Sequence, residues 1–352
     1  MIDPPVKVGV IGCGAQGKNH LNVIRELPPE TAIVRAFCDL SPDRLQNARE
    51  MWPQACATSD FKEMLAPGEL DLVIVATMPN THMQMALAAL EAGADVLCEK
   101  PFMRNLEEAT AVLNCAERLG RQVQLGTNMR YMATSGYLRD LVDSGTVGEP
   151  VLSKVWGCHV NPPWWGPHYY LSSSAGGVLA STLIHALDLV IWVAGSPNPV
   201  SVSASMRRLF PGKRGPLATP EIRQRFNVED LLTAFVRFDD GSACMLEGNW
   251  CDDSPPPHHF EMVTTRGELN SDPFTVTVDE NGEVVDKTPQ LKESSGWGDS
   301  IRNQDTDVIQ RLLDGTPWIM QDRQQLLNLQ RLIDGCYESA RIEREVVFEQ
   351  EA

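Results

Sequence analysis

Residues 6–17 read Val6-Lys7-Val8-Gly9-Val10-Ile11-Gly12-Cys13-Gly14-Ala15-Gln16-Gly17. A short, almost unbroken apolar run is the pattern of a strand buried on both faces. Here it leads directly into a G-x-G-x-x-G turn. In such a turn the first glycine permits the sharp bend, the second lets backbone approach a pyrophosphate, and the third lets the following helix pack closely. The phosphates then lie on the helix N-terminus. Gly12, Gly14, Ala15, Gln16 and Gly17 are therefore candidate cofactor contacts. The next apolar run ends in Asp39, 22 residues beyond Gly17, where a carboxylate binds both hydroxyls of an adenosine ribose. A negative charge there repels a 2′-phosphate, so NAD is expected in preference to NADP.

The same rhythm continues outward from this stretch. Apolar runs at 6–11, 32–38, 70–77, 95–98 and 122–125 alternate with helix-like stretches at 15–27, 41–51, 81–92 and 106–119. Ser41 is placed to cap its helix, and Gly93 and Gly120 to stop theirs. Alternation of this kind predicts an α/β Rossmann domain, a doubly wound parallel sheet, over residues 1–128. From 129 to 352 the pattern changes. Longer alternating runs at 151–160, 200–206, 231–238, 243–250 and 260–265 are separated by turn signals such as Asp240-Gly241, Arg266-Gly267 and Asn281-Gly282. With helices predicted at 136–142, 178–193, 304–313 and 323–341, this half reads as an α+β domain with a large, mostly antiparallel open sheet.

Composition excludes several roles. Asp and Glu number 47 against 30 Lys and Arg, a formal net charge of −17, so the basic footprint of a nucleic-acid partner is missing and anionic membrane surfaces should repel the chain. No apolar stretch approaches the 20 or so residues of a spanning helix, and the N-terminus lacks the basic start of a secretory signal. The protein is expected to be cytoplasmic. Nine cysteines without a C-x-x-C pair or zinc-finger spacing read as reduced, mostly buried thiols, with no metal site. The acidity is concentrated in residues 239–286, with twelve acids and one base, while 207–225 holds six bases and one acid. Charge runs usually lie on solvated faces, and the sharper expectation is that the basic loop of one subunit steers onto the acidic region of another.

Chemistry-bearing residues gather at predicted strand ends, which face the ligand crevice of a doubly wound sheet. Thr77, Pro79, Asn80 and His82 end one strand and should line the cofactor, although His82 is equally suited to capping its helix. Glu99-Lys100-Pro101 ends the next, with Glu99 and Lys100 further candidate cofactor contacts, and a lysine there can hydrogen-bond a substrate oxygen, its pKa lowered by burial. On the apolar helix 178–193, Ser181, His185 and Asp188 stand at i, i+4 and i+7, predicting one shared face, with Thr182 beside them. His159 and Asn161, two apart on a predicted strand, would share a face and could meet substrate hydroxyls. An aromatic loop of Trp164, Trp165, Tyr169 and Tyr170 suits either a pyranose ring or simple packing.

Taken in this order, the motifs resemble the Gfo/Idh/MocA oxidoreductase family. The resemblance is carried by the glycine turn, the run 76–82, Glu99-Lys100-Pro101, the segment Gly126-x-Asn128-x-Arg130-Tyr131, the Gly176-Gly177 helix with His185 and Asp188, and Tyr337-Glu338-Ser339-Ala340. It implies an NAD-binding domain followed by a domain whose open sheet mediates oligomerisation, as a homodimer or homotetramer, with the active site in the cleft between them. It implies oxidation of a secondary hydroxyl on a sugar, inositol or related polyol, or reduction of the ketone, with hydride exchanged at nicotinamide C4. Lys100 matches the catalytic lysine and His185 the acid/base histidine. Asn128 joins the cofactor contacts; Arg130, Tyr131, His159, Asn161, Trp165, Tyr170, Ser181 and Thr182 join the substrate contacts. Ser181 departs from the family's usual Asp. That departure keeps open an NAD-dependent glycoside hydrolase or lyase working by transient oxidation, elimination and re-reduction. A non-catalytic, NAD- or sugar-sensing regulatory protein is a further alternative, disfavoured by retention of Lys100 and His185.

Overall fold

The structure, a computed structural model, describes residues 2–66, 68–162, 170–209, 219–252, 258–290, 297–318 and 322–349. Its elements are β1 (Val6–Ile11), α1 (Ala15–Glu26), β2 (Ala32–Cys38), α2 (Pro42–Met51), β3 (Cys56–Thr58), α3 (Phe61–Leu65), β4 (Leu72–Val75), α4 (His82–Glu91), β5 (Asp95–Glu99), α5 (Leu106–Leu119) and β6 (Val123–Gly126). There follow α6 (Ala133–Asp143), β7 (Pro150–Cys158), a π-helical turn (Leu179–Leu183), α7 (Ile184–Val193), β8 (Pro199–Arg207), α8 (Pro220–Arg225), β9 (Leu231–Phe238) and β10 (Ala243–Asn249). The chain ends through β11 (His259–Thr264), β12 (Gly267–Ser271), β13 (Phe274–Glu280), β14 (Glu283–Asp286), α9 (Trp297–Asp314), α10 (Arg323–Ile342) and β15 (Val346–Val347).

Two compact units result: Met1–Asn128 with Gly296–Leu327, and Met129–Ser295 with Asn328–Ala352. The first contains a six-stranded parallel sheet in the order β3-β2-β1-β4-β5-β6. Order reverses at β1, so the connections leaving β1 and β4 diverge, and a ligand crevice opens where they part. Val6, Val8 and Val10 of β1 pack with Leu72, Ile74 and Leu97 in one buried cluster, which also takes Val308, Ile309 and Leu312 of α9. The segment 296–327, read from its place in the chain as part of the second domain, therefore belongs by packing to the first unit. An apolar stripe shows that a helix is covered but not by what, which is why chain order misplaced it.

The second unit holds a nine-stranded sheet in the order β14-β13-β12-β11-β7-β10-β9-β8-β15, antiparallel except where β7 and β10 run parallel. The π turn and α7 lie on one face of it. Gly157 of β7 makes this close approach possible, since a Cβ there would come within 2.5 Å of Leu183 Cα. The start of the helix is capped by Glu229, which accepts from the N–H groups of Gly177 (2.8 Å) and Leu179 (3.0 Å) and from the Tyr337 hydroxyl (2.9 Å). Burial raises the Glu229 pKa, and these three donors oppose the rise. At its middle, Asp188 accepts two bonds from the Arg130 guanidinium, at 2.7 and 2.6 Å, with both side chains buried. Among the described residues no helix is long and apolar enough to cross a membrane.

Breaking a buried ion pair from one side leaves the other charge uncompensated, at a cost of about 3–5 kcal/mol. Asp188→Asn should accordingly lower the thermal midpoint by roughly 6–20 °C, at about 2–4 °C per kcal/mol for a unit of this size. The double variant Arg130→Met with Asp188→Leu should recover a large part of that loss. Differential scanning calorimetry distinguishes the two, and a double variant no more stable than the single one would contradict the assignment.

Candidate active site

The glycine turn is built by close approach. Gly12 has φ +95°, and a Cβ there would lie 2.5 Å from the Ala76 carbonyl oxygen at the end of β4. A Cβ on Gly17 would fall on the carbonyl oxygen of Gly12, so the start of α1 can rest on the end of β1 only with glycine at both places. Gly14 is different: a Cβ would meet nothing nearer than the Arg44 guanidinium at 3.6 Å. Chain packing does not require glycine there, and the space is a cradle. Behind it α1 begins at Ala15, with no acidic residue in its first turn, presenting unneutralised N–H groups. Ala15 is exposed, and Gln16 accepts a bond from Asn19 at 2.8 Å.

At the end of β2, Asp39 is buried beneath the turn. One of its oxygens accepts from Cys13 N–H and the other from Ser41 N–H, both at 2.8 Å. The Arg44 guanidinium stands 3.7 Å away, its side chain 57% exposed. Each carboxylate oxygen keeps a further acceptor site for a ribose hydroxyl. Helix N-terminus, open cradle and carboxylate together fit a dinucleotide such as NAD.

The edge formed by the ends of β4 and β5 carries the next group. Thr77 Oγ1 bonds Thr81 Oγ1 at 2.8 Å, Pro79 is buried, and Asn80 is exposed. His82 is fully buried. Its Nδ1 lies 3.0 Å from the Pro101 carbonyl and its Nε2 3.2 Å from the Thr77 carbonyl. Burial lowers its pKa, against the pull of those carbonyls. His82 thus has both nitrogens directed at main chain, between the ends of the two strands. Glu99 is also turned inward. Its carboxylate accepts from the Lys100 main-chain N–H at 3.2 Å and faces His20 Nε2 at 3.2 Å, so it supports the edge. Lys100 itself is part-buried; desolvation lowers its pKa from the ordinary 10.5, with the Glu99 charge opposing. Asn128, buried, donates to Ser300 Oγ of α9 at 2.7 Å.

In the second unit, His185 is buried on α7 and Ser181 is buried in the π turn. That turn closes with the bond from Ile184 N–H to the Leu179 carbonyl, spanning five residues instead of four. Ser181 thus lies inside the π turn and His185 in the first turn of α7. Asp188 accepts from Arg130, which ties Arg130 to α7. Thr182 Oγ1 accepts from Trp250 Nε1 at 2.7 Å. Strand β7 stops at Cys158, so His159 and Asn161 lie beyond it and not on a common strand face. His159 Nε2 is 3.2 Å from His258 Nε2. Tyr131 is buried, and Tyr170 lies under the Arg225 guanidinium, 3.9 Å from its ring centre. Trp165, with Trp164 and Tyr169, lies outside the described residues. No cluster of three metal-ligating side chains is found among the described residues.

Comparison with known proteins agrees with this construction. Residues 6–127 match the model of an oxidoreductase family with an NAD-binding Rossmann fold, and residues 136–270 match the GFO/IDH/MocA C-terminal domain. The chain is 25% identical to D-glucoside 3-dehydrogenase of Escherichia coli over 346 residues, 97% of each protein. It is 31% identical to an inositol 2-dehydrogenase of Gluconacetobacter diazotrophicus over 220 residues, 61% of this chain and 60% of that one. A solved levoglucosan dehydrogenase, in complex with NADH and levoglucosan, superposes with a TM-score of 0.84 at 20% identity, covering 98% of this chain and all of the other, a likeness of fold. With both domain models matched in sequence order and the nucleotide turn intact, the chain belongs to the Gfo/Idh/MocA family of NAD-binding oxidoreductases.

Proposed function

We propose that the protein is an NAD-dependent dehydrogenase or reductase acting on a secondary hydroxyl, or the corresponding ketone, of a sugar, inositol or related polyol. The observation that carries this reading is Lys100, an amine with a burial-lowered pKa at the end of the parallel strand next but one to the glycine turn. Gly12, Gly14, Ala15, Gln16 and Gly17 hold the pyrophosphate and Asp39 the adenosine ribose. When bound, NAD supplies the hydride acceptor, and its reduced form the donor.

The chain's own residues manage the proton and the oxygen. Lys100 donates a hydrogen bond to the substrate oxygen and favours the charge that gathers on it as the hydroxyl is ionised. His185 takes the hydroxyl proton in oxidation and returns it in reduction. General acid–base help of this kind contributes about 10²–10⁴ in rate. Ser181 offers the substrate a neutral donor and acceptor where a carboxylate would have brought a charge.

The full-length likeness to a glucoside 3-dehydrogenase favours a glycoside over a free polyol as substrate. A ketone at carbon 3 acidifies the hydrogen on carbon 2, and loss of that proton can expel the anomeric substituent. Addition of water across the double bond so formed, with its oxygen on carbon 1, followed by re-reduction of the ketone, would then give net hydrolysis of the glycoside without net consumption of NAD. The open face of the nine-stranded sheet, which bears Trp156, Phe235 and Met245 on neighbouring strands, is the surface through which we place association of copies into a dimer or tetramer. Residues 210–218 of the basic loop lie outside the described residues.

The assay is a panel of inositols, aldoses and nitrophenyl glucosides incubated with NAD, followed both as NADH absorbance and as released nitrophenol. NADH formation on at least one compound is expected. With NADP in place of NAD the rate should be at least about tenfold lower, equivalent to some 1.4 kcal/mol from the Asp39 charge. Lys100→Ala should reduce kcat by about 10²–10⁴, and unchanged turnover in that variant would remove Lys100 from the mechanism. Nitrophenol release with catalytic NAD and no net NADH would select the cleavage reaction instead.

A further inference from the structure

His20 stands one turn into α1, three residues beyond Gly17, and is 1% exposed. Its Nδ1 faces the Asp305 carboxylate at 2.8 and 3.0 Å, and its Nε2 faces Glu99 at 3.2 Å. Asp305, also 1% exposed, comes from α9, some 285 residues away in the chain but within the same unit. Each ring nitrogen thus meets an acceptor-only group, a geometry that is satisfied by the imidazolium and leaves a neutral ring with a lone pair facing a carboxylate. Burial alone would lower the proton affinity of His20. The charges and hydrogen bonds of Asp305 and Glu99 overcome it, raising the pKa from 6.5 to about 10.

A buried ionic cluster is weak evidence for a contribution to stability. Its position says more. The other oxygen of Glu99 accepts from the main-chain N–H of Lys100, so the cluster ends at the amine assigned above to catalysis. Helix α9 supports the same edge a second time, through the bond between Ser300 and Asn128.

We infer that His20 and Asp305 are positioning residues for the reaction: they hold Glu99, and through Glu99 they set the alignment and the electrostatic surroundings of Lys100. The inference rests on Lys100 being the catalytic amine. In the protein as found, the negative charge of Glu99 is shared between the imidazolium on one side and Lys100 on the other. With the imidazolium removed, that charge acts more fully on Lys100 and holds its proton more tightly.

The test reads Lys100 directly and does not depend on turnover. The lysines are reductively methylated with ¹³C-formaldehyde and titrated by NMR, the Lys100 signal being the one lost in Lys100→Arg. In the wild-type protein its midpoint should lie below those of the other lysines. In His20→Gln it should rise by about one pH unit, the order expected when an opposite charge gains influence, while the other lysines stay in place. A second readout is stability against pH. The His20 pKa is raised in the folded state, so its contribution is fully present below pH 6.5 and lost as pH rises to about 10. The charged groups acting on it are Asp305 from α9 and Glu99 from β5, and the slope should flatten in His20→Gln. Should that variant not fold, His20→Gln with Asp305→Asn, which leaves no unpaired carboxylate at position 305, carries the same titration. A Lys100 midpoint unchanged in the variant that folds overturns the inference. Loss of the catalytic role of Lys100 would show separately, as full turnover by Lys100→Ala.

Discussion

The site depends on the contact between Gly17 and the carbonyl of Gly12. Any side chain at position 17 would occupy the place of that oxygen, and α1 would have to lift away from the end of β1. With glycine there, the helix begins at the sheet edge and its free N–H groups open onto the Gly14 cradle. Asp39 closes the turn from below through Cys13 N–H. The same seating delivers His20, one helical turn later, to the back of β5, where Glu99 and Lys100 end the strand. The glycine turn and the end of β5 are therefore both tied to one close approach of backbone to backbone.

Buried charge is used in the same economical way in both units. Arg130 and Asp188 neutralise each other under α7, and Glu229 is held by main-chain N–H groups at the start of that helix. His20 lies between Asp305 and Glu99. Removing charges from water costs several kcal/mol each, returned only where geometry is good and every polar atom is met. All three arrangements lie beside a residue proposed to act on the substrate: Glu229 and Asp188 flank His185 on its helix, and Glu99 precedes Lys100. Polar clusters that tie one element to another at those points restrict movement of the reacting groups more sharply than apolar packing would.

What could be read from the chain follows from how local each signal is. The alternation of buried strands and helices, the glycine turn and Asp39 are set by neighbouring residues, and the parallel sheet appears with the expected elements. Lys100 falls at a strand end for the same reason. The partners of buried polar groups are decided by tertiary contact and leave no local trace. The Thr77 and Pro101 carbonyls that His82 faces could not be read from its own segment. Arg130 and Asp188 are 58 residues apart, and neither alone announces the other. Periodicity predicts an α-helix through Ser181, whereas the chain passes through a π turn there. His20 carried a faint signal, being a histidine on the third position after the last glycine of the turn, but its meaning depends on Asp305 in α9.

The most direct measurement concerns Gly14, the glycine that chain packing does not require and at which we propose the cofactor phosphates rest. NADH titration followed by fluorescence should show saturable binding to the wild-type protein, one molecule per chain. Gly14→Val should keep the wild-type thermal midpoint to within about 2 °C, about 1 kcal/mol or less for a unit of this size, because a Cβ there meets only the exposed guanidinium of Arg44. Yet its affinity for NADH should fall by at least about a hundredfold, equivalent to some 2.8 kcal/mol. Equal binding by the two proteins, or no binding by the wild type, would contradict the account.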